Sequence, residues 1–236
     1  MSETSPNELT VDELQRLLTR ADPAVLLVPP RILRRVIKRD RGLAGLGLQV
    51  PHRKSYVIAR ERLLRIADHD ELRVEPGREL PPMLLLLPRP DRQRLAAGGR
   101  AATLLKYWRL LFHARIHLVL QAWSASDGLR QRMQRIGLTE LDEAAAVLRQ
   151  EQFLLPPGDA RTIYEEFTAV YLELRYFAPH LLPLYFPACS RLESIDATLA
   201  EDVDAAALFA ATRLEGAADP VLLPPSESER GGGGGG

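Results

Sequence analysis

A single cysteine, Cys189, in 236 residues excludes an internal disulfide and any centre that needs two thiolates from this chain. Long apolar runs are missing too. "MLLLL" (83–87) is closed by Pro88, and "LLPLYFPAC" (181–189) is interrupted by prolines, so neither approaches the roughly 20 residues of a bilayer-crossing helix. No membrane partner is expected. The acidic, polar start "MSETSPNELT" lacks the basic and apolar regions of a secretory signal, which points to a cytoplasmic location.

Lysine is nearly absent, 3 residues against 28 arginines. Guanidinium stays charged and grips carboxylate or phosphate through two parallel hydrogen bonds, but a genome rich in arginine codons explains the excess equally well. Nucleotide and acyl-transfer signatures are also lacking. "GLAGLG" has glycines at 42, 45 and 47, which is neither the dinucleotide fingerprint nor a phosphate loop. "SYVIA" and "SASDG" lack the flanking glycines of a nucleophile elbow. Cys189 precedes a helical pattern, a position that lowers a thiol's pKa, although a lone cysteine among apolar residues is more often a small core side chain.

What is present is a globular composition, 46% hydrophobic, enough to bury a sizeable core in one domain or two small ones. The chain divides into a basic N-terminal region of mixed helix and short strand (1–100), a helical region (101–216) and a flexible tail (217–236). The hexaglycine run that ends the tail reads as a joint to a further part of a longer protein.

In the first region Thr10 and Glu13 form a capping box for a helix reaching about Arg20. "AVLLV", "KSYVI" and "MLLLL" are short apolar runs, each followed by a helical pattern and compatible with a small sheet covered by helices. Pro30 suits the first turn of the helix "RILRRVIKRD", which the following glycines end. From 101 onward the pattern is helical, with segments predicted at 101–123, 127–136, 140–152, 160–178, 191–200 and 203–214. Thr139, Asp159 and Ser190 with Glu193 are the candidate caps, and Gly216 a stop. The fold class is therefore mainly α, a multi-helix domain with a few short strands in its N-terminal third.

Two constellations carry chemistry. In the first, "KYWRLLFHARIHLVLQ" (106–121) places His113 and His117 four residues apart, so both reach one Zn²⁺ or iron ion from a single helix. The zinc-protease pattern H-E-x-x-H has its general base at the second position, where this chain has Ala114. Winding the helix puts the histidines on a polar stripe with Lys106, Arg109 and Gln121, where solvation alone explains them and two cations oppose a metal. In the helix that follows, Glu166 and Glu173 share a face with Ile163, Val170 and Phe177, and buried carboxylates need a cation, a donor or a metal. Either Arg115 pairs with Glu166 or Glu173, or His113 and His117 join one of them around a metal. No cofactor is otherwise called for.

The second constellation is basic. Residues 31–65 hold eleven Lys or Arg against two acids, whereas 151–236 hold fourteen acids against five bases. Arg31, Arg34, Arg35 and Lys38 form a ridge on one helix, followed by Arg53 and Lys54, a candidate site for an anionic partner. The acidic C-terminal half can neutralise it, and with Tyr56 as the one accompanying aromatic, nucleic acid is possible but not favoured. The composite expectation is a non-enzymatic interaction or scaffold module at the front of a larger intracellular protein, with a protein partner. The alternative is a metal-dependent hydrolase or oxidoreductase using His113 and His117.

Overall fold

The computed structural model describes residues 9–43, 55–75, 77–91, 93, 95, 98–122, 128–156 and 158–220. It is mainly α with one small sheet, as the pattern predicts. Helix α1 (Val11–Ala21) starts where the capping box puts it, with the Thr10 hydroxyl accepting from the Glu13 amide at 3.1 Å. Strands β1 (Val25–Val28), β2 (Tyr56–Ala59) and β3 (Met83–Pro88) are the three apolar runs, and β3 lies centrally, parallel to β1 and antiparallel to β2. Helix α2 (Pro30–Asp40), with proline in its first turn, and the short α3 (Arg60–Leu64) and α4 (His69–Leu72) complete this part.

The sheet is buried on both faces, which explains why its strands are continuous rather than alternating apolar runs. Val25, Leu27, Val57, Leu85 and Leu87 face the main helical core. Their alternate neighbours Leu26, Val28, Tyr56, Ile58, Leu84 and Leu86 face a second core closed by Ile32, Leu33, Val36 and Ile37 of α2. Successive strand side chains point to opposite faces, so "MLLLL" serves two cores at once.

The helical part is built on α5 (Arg100–Ala122) and α8 (Ala160–Phe177), which pack on one another, with α6 (Leu129–Ile136), α7 (Leu138–Gln150), α9 (Leu182–Tyr185), α10 (Leu192–Leu199) and α11 (Ala205–Ala211) around them. Trp108 anchors the aromatic centre. It lies edge-on to Phe177 with centroids 5.0 Å apart and against Phe209 at 4.4 Å, while its indole N–H donates to the Phe209 carbonyl and the Thr212 hydroxyl. Asp159 caps α8 through the Thr162 amide, as predicted. Thr139 and Ser190 are not caps. Gly137, at φ +116°, joins α6 directly to α7, a turn that a side chain would strain, and Arg191 precedes α10 without a side-chain cap. Helix α11 ends at Ala211, and Gly216, at φ +81°, belongs to the turn beyond it rather than stopping it.

Arg115 does not reach α8. Two residues along a helix turn by about 200°, so Arg115 points away from His113 and meets Asp22 at 3.2 Å; Asp22 also accepts from the Ala24 amide at 2.8 Å. A deeper ion pair lies elsewhere: Asp202 accepts from Arg132 at 2.6 Å and from the Tyr164 hydroxyl at 2.6 Å. Burial, together with the anion of Asp202, pushes the Tyr164 phenol well above its ordinary range. Burial also pushes the Cys189 thiol up to about 11, with Glu140 and Glu143 adding to the effect. The residue is a core side chain rather than an activated nucleophile.

Asp202→Ala is expected to lower stability by about 3 kcal/mol, because it leaves the buried Tyr164 hydroxyl without its acceptor and Arg132 with the more distant Glu201, 3.6 Å away. Arg115→Ala should cost only about 1 kcal/mol, since Arg115 is one-third exposed and Asp22 keeps its backbone donor. Urea midpoints of the two variants check this ranking, and equal losses would contradict it.

Candidate metal centre

Helices α5 and α8 run antiparallel where they touch, since Arg109 meets Glu173 while His117, two turns later, meets Glu166. Arg109, His113 and His117 recur every four residues and so form one row on α5; Glu166 and Glu173, seven apart, form the facing row on α8. The meeting of these rows sets the site.

His113 lies in the middle. Its Nδ1 is 2.7 Å from Glu173 Oε2, and its Nε2 is 3.1 Å from His117 Nε2 and 4.0 Å from Glu166 Oε2. His117 Nε2 stands 3.5 Å from the same Glu166 oxygen. Both imidazoles thus turn Nε2 toward one point that Glu166 also faces. The side chains of His113 and Glu166 are 6% and 3% exposed, whereas that of His117 is 15% exposed, so the group is reached from the His117 side.

The second oxygen of Glu173 accepts from Arg109 Nε. Burial alone would raise the Glu173 pKa, but the Arg109 charge and the His113 contact outweigh it and hold the carboxyl down to about 2. The ionised Glu173 carboxylate stands 2.7 Å from His113 Nδ1, although the angle there is not that of a hydrogen bond, and it favours a proton on that nitrogen, with the Nε2 lone pair then turned toward His117 and Glu166. A carboxylate behind a histidine in this way is the usual outer-shell partner of a metal-bound imidazole.

The histidines are therefore not on a solvated stripe. Helix α5 is covered on most of its sides, with Thr103, Tyr107, Trp108, Phe112, Ala114, Ile116 and Leu120 all buried, and the apparently polar row is the seam with α8. Nor does Arg109 oppose a cation, because Glu173 neutralises it on the far side of His113. Lys106 is exposed two turns before His113. The glutamate shared face is as predicted, but the cation that answers Glu173 is Arg109 in place of Arg115.

Among the described residues, His113, His117 and Glu166 make the one group of three or more metal-ligating side chains with donor atoms close enough to share an ion. Tetrahedral ligands at about 2.0–2.1 Å from a metal stand about 3.3 Å apart. The observed donor separations of 3.1, 3.5 and 4.0 Å bracket that edge, so an ion fits with small side-chain adjustments.

The basic ridge is assembled as predicted only in part. Arg31 is exposed, whereas Arg34, Arg35 and Lys38 are half-buried, and Arg35 meets Glu71 of α4 at 2.6 Å. The acid that meets Arg35 thus comes from the N-terminal third rather than the C-terminal half. Arg53 and Lys54 lie outside the described residues. Sequence reasoning missed the Arg132–Asp202–Tyr164 cluster; the (i, i+3) spacing of Arg132 and Arg135 toward the Glu201–Asp202 pair was the available signal.

With a folded-state pKa near 2 against an ordinary 4.5, ionised Glu173 stabilises the fold fully above about pH 4.5, and that contribution is lost as pH falls toward 2. Urea midpoints measured from pH 6 down to pH 3 should therefore fall more steeply for the parent than for Glu173→Gln, which starts lower at neutral pH because Arg109 and His113 have lost their anion. Parallel curves would show that Glu173 is not held ionised by these partners. In comparisons with known proteins, no family model matches the chain, and neither curated proteins nor solved structures give a significant match.

Proposed function

We propose that this domain binds one divalent transition-metal ion between α5 and α8, held by His113 Nε2, His117 Nε2 and a Glu166 oxygen, and that its activity is metal-dependent. The convergence of these three donors, with the His113 Nδ1 backed by the Glu173–Arg109 pair, carries the reading. Two imidazoles and one carboxylate suit zinc and non-haem iron alike. A bound ion would act as a Lewis acid in hydrolysis or as a redox centre. The chain's own part is to fix the imidazoles, to set the ionised Glu173 carboxylate beside His113 Nδ1, and to exclude water from the Glu166 side by burying it.

A metal also resolves the electrostatics of the seam. Glu166 is 2% exposed, and a carboxylate at that depth is stabilised by hydrogen-bond donors and, more strongly, by nearby positive charge. Protonated imidazole or a metal ion can supply it, and the metal satisfies all three side chains together.

Purified parent protein is expected to bind one equivalent of Zn²⁺ or Co²⁺, measured by calorimetry and by metal analysis after dialysis. His113→Ala and His117→Ala should each abolish stoichiometric binding, and Glu173→Gln, which leaves every ligand in place, should weaken it about 10–100-fold. Absence of binding by the parent, or undiminished binding by the histidine variants, would overturn the reading.

The interaction-module reading keeps the ridge of α2 as its surface. In that reading its partner is a protein rather than a nucleic acid, because Arg35 is already engaged and few aromatics accompany the ridge. A DNA duplex should bind weakly at low salt and not measurably at physiological salt, and changing Arg34, Arg35 and Lys38 together to glutamine should remove the residual binding. Salt-resistant binding would restore nucleic acid as a partner.

A further inference from the structure

The three donors converge from two helices only, and that arrangement bears on what the ion would do. The fourth polar group of the cluster, Glu173, is committed to the opposite edge of the His113 ring, where Oε2 lies 2.7 Å from Nδ1 and the other oxygen accepts from Arg109. A carboxylate on Nδ1 cannot also ligate an ion held at Nε2, because the two ring nitrogens point to different sides of the imidazole. Among the described residues no further His, Cys, Asp or Glu joins the group. Zinc and cobalt take at least four ligands, and sites with three protein ligands complete the set with water or substrate.

Arg109 cancels Glu173, and Arg161, which also donates to the Leu120 carbonyl at the end of α5, is paired with Glu165 at 2.7 Å. A divalent ion carries one more unit of charge than Glu166, the one carboxylate among its three ligands, can offset, and in a largely buried setting such charge is poorly screened. Such a centre favours an anionic fourth ligand over a neutral one.

Resting on the metal reading, we infer that the ion keeps an exchangeable position on the more exposed His117 side, and that this position takes a small monoanion. The substrate class that follows is a molecule presenting a carboxylate or comparable anionic donor, which enters by displacing a bound water: the metal–water bond breaks, the metal–anion bond forms, and water leaves to solvent with no change in oxidation state. A closed structural site, with four protein ligands, would have no such exchange.

The test loads the full chain with Co²⁺, whose visible absorption reports coordination number and ligand type, and titrates it with azide and then with acetate, using perchlorate at equal ionic strength as the non-coordinating control. One azide per cobalt is expected to shift the bands with a single set of isosbestic points, acetate to do the same at higher concentration, and perchlorate to leave the spectrum unchanged. Glu173→Gln, loaded at higher cobalt, should still respond to azide, because its lost carboxylate is not a ligand. If cobalt binds stoichiometrically but neither azide nor acetate alters its spectrum, the exchangeable position is overturned while the metal site stands. If cobalt does not bind at all, both fall. A response to perchlorate equal to that to azide would show an ionic-strength effect and overturn the inference.

Discussion

The seam between α5 and α8 is governed by the cost of placing two carboxylates, Glu166 and Glu173, where water hardly reaches them. Taking an ion out of water is expensive unless opposite charge or donors meet it closely, so the positions facing them on α5 are constrained in kind. Arg109 and His113 answer Glu173; His113 and His117 face Glu166. An apolar seam would hold the helices together with less demand on register. This one ties register to chemistry, because sliding α8 by one turn would remove Glu173 from Arg109 and Glu166 from the imidazoles together.

The same demand explains the surroundings. Donors can converge only if both helices are immobile, and the aromatic cluster around Trp108, Phe112, Phe177 and Phe209 packs α11 onto the α5–α8 pair beside the site. Tyr164 and Tyr171, from α8, tie outward to Asp202 and Asp196 through their hydroxyls. Helix α8 is thus held by polar bonds on one side while its carboxylates face α5 on the other. The N-terminal sheet contributes from below: Leu85 and Leu87 of β3 belong to the same core, and the Tyr107 hydroxyl donates to the Pro88 carbonyl at 2.6 Å, fixing α5 to the end of β3.

Much of the fold was legible because its signals are local. The Thr10 cap, Pro30 and Asp159 act within one helical turn, although the Glu13 carboxylate turns to Arg100 rather than closing the box, and "MLLLL" reads as a strand because a run buried on both faces has no reason to alternate. Thr139 and Ser190 failed as caps for an equally local reason: a positive-φ glycine starts α7 two residues earlier, and Arg191 rather than Ser190 precedes α10. The His113–His117 spacing and the shared face of Glu166 and Glu173 were also legible, since both follow from helical periodicity.

What periodicity does not contain is which face meets which neighbour. Reading α5 as a helix with one buried side made its polar row look wet, and the row is in fact the seam, because α5 is covered nearly all round. The partner of Glu173 was misassigned for the same reason: Arg115 and Arg109 are equally basic, but only the packing angle and register of α8 decide that Arg109 shares its side while Arg115 turns to Asp22. The sequence by itself determined the helices, the strands, and the spacing of two histidines and two glutamates. Only the tertiary structure decided that they meet, because convergence of side chains from helices some fifty residues apart in the chain is set by burial of the whole interface and not by any property of either helix alone.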